Sequence, residues 1–223
     1  MEQHSWQEAD SQEEVGTERI CAFSDGVFAV AITLLILDIH VPVLEETRGD
    51  ALALLSGLGH LWPHYLSFFL SFLFVGTIWS NHHTMFSYIK CSNQVLIILN
   101  LLLLLCVVVV AFTADLLGLY IKQPAQWVGV LIYNGVLLLC CVCYNALWWY
   151  AAKGARLLSP TLHPEVVRQT TRRYAWSPLL YLLACFLSFP LFWNGTPGLV
   201  LSILLAIVYL LPVIADRVKV KER

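Results

Sequence analysis

Residues 19–39 read "RICAFSDGVFAVAITLLILDI". Most of this stretch is apolar and long enough to cross a bilayer, since about 20 apolar residues in a helix span the hydrocarbon core. Yet it opens on Arg19, carries Ser24 and Asp25 within its first two turns, and sets Thr33 near its middle. A carboxylate in such a place is costly and needs partners. How these polar groups are distributed around the helix decides how the chain is read.

A helical wheel separates them. With Val30 as zero and about 100° per residue, Gly26 falls at about 320°, Thr33 at about 300°, Leu34 at about 40° and Leu37 at about 340°. These residues form one mainly apolar stripe along the helix. Asp25 falls at about 220° and Ser24 at about 120°, both off the stripe. Arg19 lies six positions before Asp25, a spacing that does not pair side chains along one helix face. Asp25 therefore requires donors from other helices. Candidates at similar depth are Trp79, Asn81, His82 and His83; Asn100 is the one amide within the apolar run 95–112. The pattern predicts a polar knot joining the first three membrane helices.

The rest of the chain follows the same logic. Of its 223 residues, 59% are hydrophobic and 13% are charged, against about 25% charged in soluble domains. Residues 51–89, 91–114, 123–152 and 174–215 contain no Asp, Glu, Lys or Arg. The runs are continuous and lack a period of two, so an all-α integral membrane protein is predicted and a membrane β-barrel is excluded. Six spans are read at 19–40, 59–81, 93–114, 127–150, 174–193 and 197–215. Residues 19–215 form one transmembrane domain. Residues 1–18 are read as a disordered acidic tail, and 216–223 as a basic tail.

Breaks between spans have identifiable causes. Pro42, Glu45, Glu46, Arg48, Gly49 and Asp50 follow the first, and Asn194-Gly195-Thr196-Pro197-Gly198 makes a tight hairpin between the last two. Six crossings put both termini on one side. That side collects Arg19, Lys90, Lys153, Arg156, Arg168, Arg172, Arg173, Arg217, Lys219, Lys221 and Arg223, eleven of the thirteen basic residues, and leaves Arg48 and Lys122 opposite. The bias predicts cytoplasmic termini. Trp127, Trp148, Trp149, Tyr150, Trp176 and Trp193 mark span ends, where aromatic belts form.

Composition also excludes functions. A net charge of −2 offers no nucleic-acid footprint. Cys140, Cys141 and Cys143 point in different directions on one helix and have no nearby His or carboxylate in sequence, so no metal site is assigned to them. His60 and His64 share a helix face. His82 and His83 lie about 27 Å away along the helix, so the two pairs do not form one metal or haem site.

Here the residues reach a resemblance. Arg19-x-x-x-Phe23-Ser24-Asp25-Gly26 followed by "VFAVAITLLILDI" resembles the first helix of the transmembrane protein 175 family of lysosomal potassium channels. "IWSNHHTMF" at 78–86 and "ILNLLLLL" at 98–105 resemble the end of its second helix and its third, with Trp79, His82 and Asn100 in place. The resemblance implies a single-unit prokaryotic form, assembled as a homotetramer with the first helices around a central pore. It assigns Arg19, Phe23, Ser24, Asp25, Trp79, His82 and Asn100 to a structural motif that braces the pore helix from behind. It makes the wheel's stripe the pore wall, with the constriction at Val30, which is smaller than the Ile or Leu usual there. Leu34 and Leu37 add apolar rings, and Thr33 supplies the stripe's side-chain oxygens.

The function so implied is a potassium-preferring channel of modest K⁺/Na⁺ selectivity in the cell membrane. It passes K⁺ and other monovalent cations, touches only lipid and copies of itself, and uses no cofactor. Without a Thr-Val-Gly-Tyr-Gly segment, selectivity would come from partial dehydration at an apolar constriction. A secondary transporter using Asp25 and His82 as titrating groups is the alternative reading; a membrane enzyme is the weakest.

Overall fold

The computed structural model describes residues 2–42, 51–155, 157–191 and 193–221, and side chains within 17–42, 51–154, 157–191 and 193–208. Glu45, Glu46, Arg48, Gly49, Asp50, Arg156 and Arg223 lie outside the described residues, as do the side chains of Arg217, Lys219 and Lys221. Seven α-helices run through it: α1 (Glu2–Leu34), α2 (Ala51–His60), α3 (Trp62–Tyr88), α4 (Gln94–Tyr120), α5 (Gln126–Ala152), α6 (Pro164–Leu187) and α7 (Thr196–Lys221). Among the described residues, strand-like pairing is confined to one antiparallel bridge between Ile89 and Leu158.

Among the described residues, three helical stretches are each long and apolar enough to cross a membrane: Thr17–Asp38, Gln94–Tyr120 and Gln126–Ala152. A fourth passes if α2 and α3 count as one bent element; they meet at 47°. The protein is thus a multi-pass membrane protein of helical fold.

Several boundaries differ from those read in the sequence. The helix of α1 begins at Glu2, within the residues 1–18 expected to be a disordered acidic tail. No proline interrupts this segment, and its Glu, Gln and Ala residues carry good helix propensity. At the other end α1 stops being α-helical at Leu34, and Leu35–Asp38 continue as a 3-10 turn. The second predicted span is broken at Leu61, and α3 restarts with Pro63 in its first turn, where a missing N–H costs nothing. Likewise α6 begins ten residues early, at Pro164, with the His163 ring accepting Glu165 N–H. It carries Pro178 within its length and ends at Leu187, before Pro190.

The core is organised along α4 and α5. On α4 the buried residues Leu96, Asn100, Leu103, Val107, Val110, Ala114 and Leu117 recur in alternating steps of four and three. On α5, Val130, Tyr133, Leu137, Cys140, Tyr144, Leu147 and Ala151 do the same. That spacing is the seam of helices crossing at a shallow angle. Outside the seam α4 is still apolar: Leu105 is 61% and Phe112 67% exposed. A helix greasy all round belongs in lipid or against another subunit.

Two features lock the ends. At one, Lys90 N–H donates to Leu157 O (2.8 Å), Ser159 N–H to Tyr88 O (2.8 Å) and Thr17 Oγ1 to Lys90 O (3.1 Å), binding the middle of α1 and the α3–α4 connection to the segment after α5. At the other, the α6–α7 hairpin turns through three consecutive positive-φ residues, Trp193, Asn194 and Gly195. Between α5, α6 and α7 a fully buried polar layer forms: Asn134 Nδ2 donates to Ser188 Oγ at 3.1 Å, and Ser202 Oγ donates to Asn134 Oδ1 at 2.5 Å.

Candidate functional site

The site is built on α1. Its buried edge is Ser24, Phe28, Ala31 and Leu35, again in steps of four and three, packed against α3 and α4. On the opposite side Gly26, Val30, Thr33, Leu34 and Leu37 are exposed, Val30 to 57% and Leu37 to 65%. In one chain this apolar stripe has no cover among the described residues. The 3-10 turn rotates the last residues somewhat further than an α-helix would, yet Leu37 stays on the open side.

Asp25 lies on the flank between the two edges, half-buried. Its Oδ1 accepts the indole Nε1–H of Trp79 at 2.8 Å. Of the four donors considered on α3, Trp79 is the one that reaches it. The ring of His83 lies beside that indole, with centroids 6.4 Å apart, and the backbone carbonyl of Asn81 instead accepts the Tyr144 hydroxyl at 3.0 Å.

His82 belongs to a second unit, deeper in the bundle. Its Nε2 is 2.9 Å from Asn100 Oδ1, Asn100 Nδ2 donates to Ser24 Oγ at 2.9 Å, and Ser24 Oγ donates to Ile20 O at 2.8 Å. All three residues are at most 2% exposed. The chain of bonds fixes its own direction. Ser24 has one hydroxyl proton and gives it to Ile20, so it accepts from the Asn100 amide. That leaves Asn100 Oδ1 as an acceptor, so His82 holds a proton on Nε2. The imidazole is packed between Phe86, stacked at 4.5 Å, and Phe28, edge-on at 5.4 Å. The polar residues of the first three membrane helices therefore divide into a flank pair, Asp25–Trp79, and a buried relay, His82–Asn100–Ser24, rather than one knot.

The remaining motif residues stand apart. Arg19 is exposed and makes no ion pair among the described residues, and Phe23 is 57% exposed. Thr33 donates its hydroxyl back to the carbonyls of Ala29 (3.0 Å) and Val30 (2.9 Å). With its proton turned inward, the Thr33 oxygen presents lone pairs outward from the exposed stripe.

Some polar features were not read in the sequence. The Asn134–Ser188–Ser202 layer is one; its signal was an amide inside the apolar α5 and serines at Ser188 and Ser202 in the segments that face it. Asp38, the second carboxylate of the opening stretch, lies half-buried near Asp115, His40 and His64. The sulfurs of Cys106 and Cys143 approach to 3.9 Å across α4 and α5, a contact invisible along either helix alone.

Residues 19–111 match the family described as endosomal/lysosomal potassium channel TMEM175. A potassium channel of Chamaesiphon minutus is 41% identical over 186 residues, covering 83% of this chain and 90% of the relative. A potassium channel of Streptomyces collinus is 39% identical over 172 residues, covering 77% and 82%. The crystal structure of a lysosomal potassium-selective channel TMEM175 homolog from Chamaesiphon minutus superposes with a TM-score of 0.78 at 36% identity, over 89% of this chain and 98% of that one.

Proposed function

Because the chain belongs to the endosomal/lysosomal potassium channel TMEM175 family, whose relatives are ion channels and not enzymes, we propose that it is a potassium-preferring cation channel of the cell membrane. Four copies surround a pore walled by the exposed stripe of α1. Each copy crosses the membrane six times, through α1, the bent α2–α3 unit, α4, α5, α6 and α7, with both termini in the cytoplasm. The eleven-to-two distribution of basic residues supports that orientation. The charges of α6 lie in its first ten residues and leave the following stretch apolar.

One observation carries the reading. The side of α1 that holds Val30, Leu34 and Leu37 is open, while the polar residues of the same helix are engaged elsewhere: Asp25 by Trp79, and Ser24 by Asn100. Ser24, Asp25, Trp79, His82 and Asn100 act as the brace that fixes the rotation of α1 about its own axis. The pore is then narrowed by apolar rings at Val30, Leu34 and Leu37. A cation must shed part of its hydration shell to pass them. Potassium releases water more readily than sodium, so it is favoured, modestly. Thr33 oxygens, turned outward, replace some of the lost water. A transporter mechanism would join Asp25 and His82 in one proton path; their separate hydrogen bonds argue against it.

The test is flux of K⁺, Na⁺ and Cs⁺ through purified protein in liposomes, with Val30→Asn compared in planar bilayers. Val30→Asn should raise single-channel conductance and flatten the K⁺/Na⁺ preference. Unchanged currents would remove Val30 from the conduction path.

A further inference from the structure

A cavity opens between α3, α5, α6 and α7, away from α1 and α4. It is a cleft partly open at its mouth rather than an enclosed chamber. The lining changes character along its length. At one end are Arg173, Tyr174 and Asn81; at the other are Phe74, Ile78 and Tyr181. Phe74 lies seven residues before Asn81 on α3, and Tyr181 eight residues after Arg173 on α6, so the polar and apolar ends are about 10 Å apart.

The chemistry of the polar end is specific. The Arg173 side chain is exposed at the mouth and makes no ion pair among the described residues, and no lining residue is acidic. The Asn81 amide makes no hydrogen bond among the described residues, although its backbone carbonyl is taken by Tyr144. A cationic fork beside a free amide suits an oxyanion. The apolar end is closed by the edge-to-face pair Phe74 and Tyr181, with ring centroids 5.6 Å apart, and suits hydrocarbon. Basic pockets between membrane helices are where anionic lipid heads bind.

We propose that this cavity binds one anionic amphiphile, its phosphate or carboxylate head on Arg173 and its hydrocarbon chain against Phe74, Ile78 and Tyr181. The occupant is a membrane phospholipid or a free fatty acid. The site goes beyond the channel reading and does not depend on which ion permeates.

The experiment is native mass spectrometry of the full chain, delipidated in mild detergent and titrated separately with phosphatidylglycerol, phosphatidylcholine and oleate. At least one anionic ligand should be retained about fivefold better than phosphatidylcholine, the effect of one arginine at a membrane surface. Arg173→Ala, at an exposed position, should abolish that preference, and Arg173→Lys should keep most of it. Ala206→Phe, which fills the cavity, should lower retention of the same ligand. Arg172→Ala, the exposed neighbour outside the cavity, should change nothing. Preference for phosphatidylglycerol alone identifies a phospholipid, and for oleate alone a fatty acid. Equal retention of all three ligands, retention unaltered by Arg173→Ala, or an equal loss in Arg172→Ala would overturn the assignment.

Discussion

Replacing Asn100 by Leu removes the centre of the buried relay. Asn100 accepts from His82 Nε2 and donates to Ser24 Oγ, each at 2.9 Å, in a site where none of the three residues is more than 2% exposed. The leucine strands the His82 N–H without a partner, which costs about 1–3 kcal/mol. Ser24 keeps its bond to Ile20, so that side loses less, about 0.6 kcal/mol, an ordinary value for a hydrogen bond between membrane helices. The single variant should therefore lose about 2–3 kcal/mol. His82→Phe alone strands Asn100 Oδ1 instead. The double variant has no orphan, and a phenyl ring suits the slot between Phe28 and Phe86. Denaturant titration of all four proteins in mixed micelles should give a favourable coupling of about 1 kcal/mol or more. If the two single losses simply add, His82 and Asn100 are not bonded to each other and the relay is wrong.

Two more perturbations test the brace and the hairpin. Trp79→Phe removes the donor to Asp25 but keeps an aromatic ring; it should cost about 1 kcal/mol and lower the melting temperature by about 2–4 °C, read by thermal scanning of the purified protein. Gly195→Ala places a methyl group at φ +80°, 2.9 Å from Ser188 O and 3.0 Å from Trp127 Cα. The same scan should show a larger loss than for Trp79→Phe, since the left-handed backbone alone costs about 1–2 kcal/mol.

How much was legible in the sequence varies with the kind of signal. The membrane class followed from charge-free runs longer than the hydrocarbon core is thick, and Asp25 announced a partner because an unpaired carboxylate there is costly. The wheel separated the Val30 stripe from Ser24 and Asp25 because both lie in regular α-helix. It had no means of finding the 3-10 turn at Leu35–Asp38, since a change in helix period leaves no mark in a run of Leu and Ile. Nor could it choose among Trp79, Asn81, His82 and His83, whose rotation about α3 depends on the break at Leu61. Prolines were ambiguous for a physical reason: Pro63 marks the restart of α3 after that break, whereas Pro178 lies inside α6. The first costs nothing in a helix's opening turn, and the second is tolerated because neighbouring groups satisfy the carbonyl it frees. The Asn134–Ser188–Ser202 layer joins residues 54 and 68 positions apart, a proximity that only packing creates.

The claim on which the function rests is that the exposed stripe of α1 faces the ions. Cysteine scanning tests it most directly: currents of Thr33→Cys, Leu37→Cys and Ile36→Cys channels are recorded before and after a cationic thiol reagent, with the parent chain as control for its seven native cysteines. Thr33→Cys and Leu37→Cys should lose current, while Ile36→Cys, also exposed but off the stripe, should not. Block of Ile36→Cys with Thr33→Cys and Leu37→Cys untouched would mean that α1 is rotated away from any pore.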